Sequence, residues 1–219
     1  MSFDRECILF AGPLAALSVL FLALGLFTAG AVMLALLAFV MFFFRDPERI
    51  IPEDEDLIVA PADGRVIRVD TAYSNPEFPD GAVCVSIFLS IFNVHVQRTP
   101  IAGTVDSKRY NTGSFLAAWD HKASEENEYS LSVLDTRIGK VGVKQIAGLV
   151  ARRVITRINV GQTVAKGEHI GVIRFGSRVD LILPPGASLI SKEGDKVKGG
   201  ATVMARINYK GGKDGEEGS

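Results

Sequence analysis

The sequence predicts a mainly β protein of the α+β class, in which an N-terminal apolar helical hairpin precedes a β-rich domain. Three observations predict it. From Cys7 to Phe44 the chain runs 38 residues without a charge. From Arg45 onward, short Val- and Ile-rich runs alternate with glycine-containing turns, the signature of short strands. Long helical patterns are confined to the first part.

A bilayer span takes about 20 apolar residues. Thirty-eight is too many for one span and fits two short ones. Gly25-Leu26-Phe27-Thr28-Ala29-Gly30 interrupts the larger apolar residues, so one helix is expected from Ile8 to Gly25 and a second from Ala31 to Phe44. The second is short, consistent with a tilted hairpin or one seated in a single leaflet. The run is too long for the apolar core of a signal peptide and lacks a basic cluster before it. Arg5, Arg45 and Arg49 flank the hairpin. By the positive-inside rule both ends lie in the cytoplasm, which places the protein on the cell (inner) membrane with its domain on the cytoplasmic side.

Arg45-Asp46-Pro47-Glu48-Arg49 is a polar exit, and Pro52 to Asp56 is an acidic loop. Strands are expected at Gly64–Val69, Ala82–Leu89, Ser130–Leu134 and Lys140–Ile146, with one or two helical turns around Phe115–Trp119. The Gly-rich charged tail from Lys210 is expected to be disordered. The resulting division is a hairpin over 1–44, a β-rich domain over 45–209 and a tail over 210–219.

Gly161-Gln-Thr-Val164-Ala-Lys-Gly167-Glu-His-Ile170 returns as Gly194-Asp-Lys-Val197-Lys-Gly-Gly200-Ala-Thr-Val203, 33 residues later. Each copy reads as turn, short strand, glycine turn and strand. Two such hammerhead units resemble the barrel-sandwich fold of biotinyl and lipoyl carrier domains. Lys166 and Lys196 lie in them without carrier-motif flanks, so the repeat is read as building the fold.

The part from Arg45 onward carries 23 Lys and Arg against 23 Asp and Glu. This neutrality argues against a nucleic-acid-binding surface and against a disordered acidic chain. Cys7 and Cys84 are too few for a disulfide framework and read as small buried hydrophobes. No metal-ligand spacing is present.

Gly176-Ser177 ends a β-run, but Phe175 and Val179 stand where a serine-hydrolase elbow needs glycine. Pro61-Ala-Asp63-Gly64 is an acidic turn leading into a strand, and Asn93-Val-His95-Val96 sets a histidine in an apolar strand. Taken singly, Asp63 is the aspartate of an Asp-Gly turn and His95 a core histidine.

Together these segments closely resemble the phosphatidylserine decarboxylase family in its short membrane-associated form, which includes archaetidylserine decarboxylase-like members. The resemblance covers nearly the whole chain. It rests on the hairpin with Phe43-Phe44-Arg45-Asp46-Pro47-Glu48-Arg49, on Pro61–Gly64, Asn93–Val96 and Lys122–Asn127, and on Gln145–Gly148, Ala151–Arg153 and Phe175–Asp180. It implies an enzyme that decarboxylates phosphatidylserine to phosphatidylethanolamine with a pyruvoyl group made from Ser177, without metal or pyridoxal phosphate. Self-cleavage between Gly176 and Ser177 would leave associated chains of 1–176 and 177–219, and a homodimer is expected. The chemistry needs Ser177 as nucleophile, His95 as its general base and Asp63 to orient the imidazole. The pyruvoyl ketone would condense with the substrate amine and accept the electrons left when CO₂ departs.

Longer family members carry a further histidine where this chain has Phe92. The proton donor in decarboxylation is therefore open among His95, Tyr110, His121 and water. His169 is read as structural. At most one of Arg152 and Arg153 is expected to pair with a lipid phosphate, since an alternating strand would separate them. Diacyl and archaeal ether lipids present the same headgroup and are not distinguished. Two other readings are a non-enzymatic, membrane-anchored barrel-sandwich adaptor, which leaves Asp63, His95 and Gly176-Ser177 unexplained, and a lipid hydrolase, weakened by the missing elbow.

Overall fold

A computed structural model describes residues 2–113, 127–148, 153–174 and 176–207. The expected helical turns around Phe115–Trp119, His121, Arg152, Phe175 and the tail from Lys210 lie outside these residues. The protein is mainly β, with two helices at its N-terminus.

A two-residue strand, β1 (Ser2–Phe3), leads into α1 (Cys7–Ala23) and α2 (Phe27–Phe43), and the chain leaves through β2 (Arg45–Asp46), which pairs antiparallel with β1. The turn falls at Gly25, in the left-handed region at φ 76°. The second helix begins four residues before its expected start. Gly30, read from sequence as a breaker, lies inside α2 at a close helix–helix approach: a Cβ there would sit 2.6 Å from the Leu22 side chain. Each helix has 17 residues, and no helix among the described residues is long and apolar enough to cross a membrane. Large apolar side chains on both helices face outward, among them Ile8, Val19, Leu20, Phe27 and Val32.

The remaining strands are β3 (Leu57–Val59), β4 (Gly64–Tyr73), β5 (Ala82–Leu89), β6 (Val96–Arg98), β7 (Gly103–Asn111), β8 (Tyr129–Thr136), β9 (Gly139–Ala147), β10 (Val154–Thr156), β11 (Thr163–Val164), β12 (His169–Ile173), β13 (Ser177–Leu183), β14 (Ala187–Leu189), β15 (Lys196–Val197) and β16 (Val203–Ile207). Eight form one sheet in the order β11-β7-β8-β9-β13-β5-β4-β15, and two three-stranded sheets run β10-β12-β6 and β14-β16-β3. One face of the large sheet carries Val85, Ile87, Leu89, Val143, Val179 and Leu181 into a core shared with Ile58 and Met204 of one small sheet and Ile170 and Ile173 of the other. The opposite face buries Phe78, Cys84, Leu131 and Ile182. β13 lies between β5 and β9 and is buried along its whole length, its two charged residues, Arg178 and Asp180, being paired with each other.

The two Gly-rich units occupy corresponding places. β11 and β15 close opposite ends of the large sheet, while β12 and β16 are the middle strands of the small sheets. Gly161 and Gly167 in one unit, and Gly194 and Gly200 in the other, all have positive φ.

The helices dock on the β10–β12 sheet. Phe43, Phe44, Val40 and Cys7 pack with Val172. Buried Asp4 accepts hydrogen bonds from Arg157 at 2.5 and 2.7 Å, and Glu6 pairs with Arg174.

Candidate active site

Ser177 opens β13, its backbone in register with Leu89 of β5 and Ala147 of β9. The side chain is fully buried, and its Oγ has no hydrogen-bond partner among the described residues. A buried hydroxyl left unpaired costs free energy, so its persistence points to chemistry. Gly176 before it lies at φ 31°, in the left-handed half of backbone space, with open space where a Cβ would go. Glycine is needed there for conformation and not for room.

His95 lies just before β6, also fully buried, and its carbonyl accepts the Ile173 N–H at the end of β12, four residues ahead of Ser177. Nδ1 is 3.0 Å from the Asn93 carbonyl, which can only accept, so Nδ1 carries the proton. Nε2 is therefore the lone-pair nitrogen, and it too is buried without a partner among the described residues. Burial pushes the imidazole pKa down to about 4, and the nearby Arg45 charge adds to that, against the opposing effect of the Asn93 carbonyl. The ring is neutral at physiological pH and has a free basic nitrogen.

Asp63 does not take its expected place. Both its carboxylate oxygens accept from Arg49 Nη2 at 2.9 Å, and Oδ1 also accepts from the Gly199 N–H at 2.8 Å. The orienting group on His95 is the Asn93 carbonyl. The reason is local. The Ser90–Asn93 turn, closed by Asn93 N–H to the Ser90 carbonyl and Ser90 N–H to Asn93 Oδ1, supplies a carbonyl two residues from the imidazole. Meanwhile Arg49 gives Asp63 a charged partner, and the pair is only slightly exposed. Asp63 and Asn93 nonetheless line one cleft of about 640 Å³, with Gly64, Arg65, Phe88, Ser90 and Lys196–Lys198.

Three features were not legible as site residues. The Phe43 ring stacks on His95 with centroids 4.1 Å apart. Gln97 Nε2 donates to the His95 carbonyl at 2.7 Å, and Gln145 Nε2 donates to Gln97 Oε1 at 2.8 Å. Thr156 donates to Gln145 Oε1 at 2.7 Å, which leaves it to accept from Ser130 at 2.8 Å. Both glutamines are fully buried, so this polar chain ties the His95 backbone to β9, beside Ser177. Lastly, Arg178 is held by Asp180 at 2.6 Å and Ser86 at 2.7 Å on the other face of the sheet. The only sequence signal for Arg49 and Gln145 was membership of family-like segments.

Of the other residues considered, Tyr110 donates to Glu128 at 2.7 Å and is half-exposed, with its hydroxyl pKa raised by desolvation and by that carboxylate. Phe92 is exposed. His169 sits 3.0 Å from Asp46, which also holds Arg98, a bracing contact between β12, β2 and β6.

The phosphatidylserine decarboxylase family model matches residues 36–205. The chain is 46% identical over 205 residues to a phosphatidylserine decarboxylase proenzyme of Symbiobacterium thermophilum, covering 93% of this chain and 94% of that one. The chain belongs to the phosphatidylserine decarboxylase family. It is 45% identical over 199 residues to a putative archaetidylserine decarboxylase proenzyme of Methanothermobacter thermautotrophicus, covering 85% and 89% of the two chains. It is 44% identical over 192 residues to a phosphatidylserine decarboxylase proenzyme of Nitratidesulfovibrio vulgaris, covering 87% and 88%. The protein is a decarboxylase, and the adaptor and hydrolase readings fall with that assignment.

Proposed function

We propose that the protein cleaves itself between Gly176 and Ser177 and then decarboxylates a serine phospholipid, phosphatidylserine or its archaeal ether counterpart, to the ethanolamine lipid. The observation that carries this reading is the pair of buried, unpartnered atoms, Ser177 Oγ and His95 Nε2, in a member of a decarboxylase family whose relatives are named proenzymes.

In the self-processing step His95 Nε2 takes the Ser177 hydroxyl proton, and Oγ bonds to the Gly176 carbonyl carbon. The Gly176–Ser177 C–N bond breaks, and the freed amine takes a proton. The peptide is now an ester. Loss of the Ser177 α-proton expels Gly176 as a carboxylate, and water converts the remaining dehydroalanine to a pyruvoyl group with release of ammonia. Gly176, at φ 31° just ahead of β13, sets the scissile peptide at the first residue of the strand. Asp63 is a positioning residue, acting through Arg49 and Gly199 on the cleft wall rather than on the imidazole.

When formed, the pyruvoyl group supplies an electron sink for the carbon that loses CO₂. The site fits it, since the serine that would become it begins a fully buried strand with no side-chain bond to break. His95 is placed to hold and return a proton. Residues 177–207 are laced into two sheets, through β13 and β15 of the large sheet and β14 and β16 of a small one, which supports lasting association of chains 1–176 and 177–219. The Gly-rich units act as hammerheads of a barrel-sandwich-like frame, which their matching φ values and sheet positions support. The outward apolar side chains of α1 and α2 support a membrane seat for 1–44, with the domain over 45–209 on the cytoplasmic side of the cell membrane.

The test is CO₂ release from a serine phospholipid dispersed in neutral detergent. Activity lost on hydroxylamine treatment, and indifferent to added pyridoxal phosphate or chelator, is expected. Hydroxylamine-resistant activity would remove the pyruvoyl group from the account.

A further inference from the structure

The cleft lined by Asp63 and Asn93 has a charge pattern that self-processing does not use. Arg65 of β4 and Lys196 of β15 are direct register partners, and both are exposed. Like charges opposite one another on neighbouring strands are destabilising. Lys198, also exposed, lines the same cleft. Among the described residues none of the three is in an ion pair, although the part from Arg45 onward has as many carboxylates as cations. The one carboxylate in the cleft wall, Asp63, is taken by Arg49 and the Gly199 N–H. Three uncompensated cations thus converge on a concave surface of an otherwise neutral domain. The cleft reaches the candidate site at the strand ends through Asn93, whose carbonyl holds His95 Nδ1; by register Arg65 and Lys196 share the sheet face of Phe88, opposite the Ser177 side chain.

We propose that Arg65, Lys196 and Lys198 form the subsite for the phosphodiester of the substrate headgroup. This rests on the decarboxylase reading of Ser177. An anion between Arg65 and Lys196 turns their repulsion into shared attraction, and a guanidinium with two ammonium groups suits a phosphodiester. About 640 Å³ takes a phosphoserine headgroup with its tails outside. From there the serine amine would reach round the ends of β4 and β5, past Asn93, toward His95 and Ser177.

The test replaces Arg65, Lys196 and Lys198 together by glutamine and compares the variant with wild type and with R65K/K196R/K198R, which keeps the charges. The substrate is a serine phospholipid in neutral detergent; glycerophosphoserine and free serine are the soluble inhibitors. Losing charge-assisted contacts to the phosphate should raise KM about tenfold or more while kcat stays within about twofold. Inhibition by glycerophosphoserine should weaken by the same factor, and that by free serine should not change. Self-cleavage should proceed at the wild-type rate, since it involves no substrate, and the charge-retaining variant should keep a near-normal KM. An unchanged KM in the glutamine variant overturns the inference. So does a defect seen only on vesicles rich in anionic lipid, which would make the three cations a general membrane-attraction patch. Wild-type protein that cleaves and decarboxylates while the variant binds normally sinks the subsite alone; wild-type protein that does neither sinks the underlying reading and the subsite with it.

Discussion

The ring of Phe43, the last residue of α2, stacks on the imidazole of His95 with centroids 4.1 Å apart and planes 28° from parallel. Phe43 is completely buried, and the helices are further fastened by Asp4 to Arg157 and Glu6 to Arg174. The apolar hairpin therefore forms one wall of the histidine's pocket. From sequence, a protein lacking residues 1–44 is expected to fold and cleave itself, the hairpin serving only as an anchor. The stacking reverses that expectation. Residues 45–219 alone should accumulate as uncleaved chain, and Phe43→Ala in the full chain should slow cleavage and cost about 3–5 kcal/mol of stability, as for other buried phenylalanines. Phe43→Leu should cost less. Precursor remaining on a denaturing gel over time measures this, and wild-type cleavage by the 45–219 protein would restore the anchor-only reading.

The protonation state of His95 sets a pH dependence. Its pKa is lowered by burial from 6.5 to about 4. General-base action needs the neutral ring, so the rate of self-cleavage should stay level as pH falls through 6.5 and decline only toward pH 4. Stability has the same sign. Between about pH 6.5 and 4 the unfolded chain binds a proton that the folded chain does not, so stability falls as pH falls, by about 3 kcal/mol in all from this group. A cleavage profile with its midpoint near 6.5 would show that the imidazole is not held neutral by burial.

The buried glutamines should matter although neither touches the reacting atoms. Gln145→Leu leaves Gln97 Oε1 without its present partner, at a cost of about 1–3 kcal/mol, while the Thr156 hydroxyl keeps Ser130. It also frees the His95 backbone from β9. Self-cleavage should slow severalfold, with the pH midpoint unmoved because the imidazole keeps Asn93. Gln145→Glu should restore less than wild type, since a carboxylate cannot donate to Gln97. Equal cleavage rates in all three proteins would remove the positioning role.

Asp63 was read from sequence as the partner of the imidazole, and the structure gives it to Arg49. The two assignments differ in a measurable way. Acting through Arg49, Asp63→Asn and Arg49→Gln should slow cleavage to a similar extent, and the double variant should be little worse than either single one. Acting on His95, Asp63→Asn alone should be severe and Arg49→Gln mild.

Much of the fold was legible because its signals are local. Val- and Ile-rich runs between glycines marked strands at 64–69, 82–89, 130–134 and 140–146, which the structure extends to 64–73, 82–89, 129–136 and 139–147, and the uncharged run marked the helices. Gly30 was misread because a glycine that breaks a helix and one that admits a neighbouring helix look alike in one dimension; only Leu22 across the turn distinguishes them. At the site, the segments carrying Ser177, His95 and Asp63 were recognisable, but their partners were not. The choice of Arg49 over His95 for Asp63, and of the Asn93 carbonyl for Nδ1, depends on how the exit from α2 and the turn after β5 pack, which no local pattern encodes. The Gln97–Gln145–Thr156 chain joins three strands far apart in sequence and had no signal beyond three ordinary polar residues in apolar runs.

The central claim is that Ser177 becomes a pyruvoyl group by breaking its own peptide bond. The intact mass of the purified, denatured protein tests it most directly. The account predicts two chains, residues 1–176 ending in a carboxylate and residues 177–219 lighter by one ammonia than the same peptide with a free N-terminal serine, and a single uncleaved chain in Ser177→Ala. A catalytically active wild-type protein found only as one 23.6 kDa chain would contradict it.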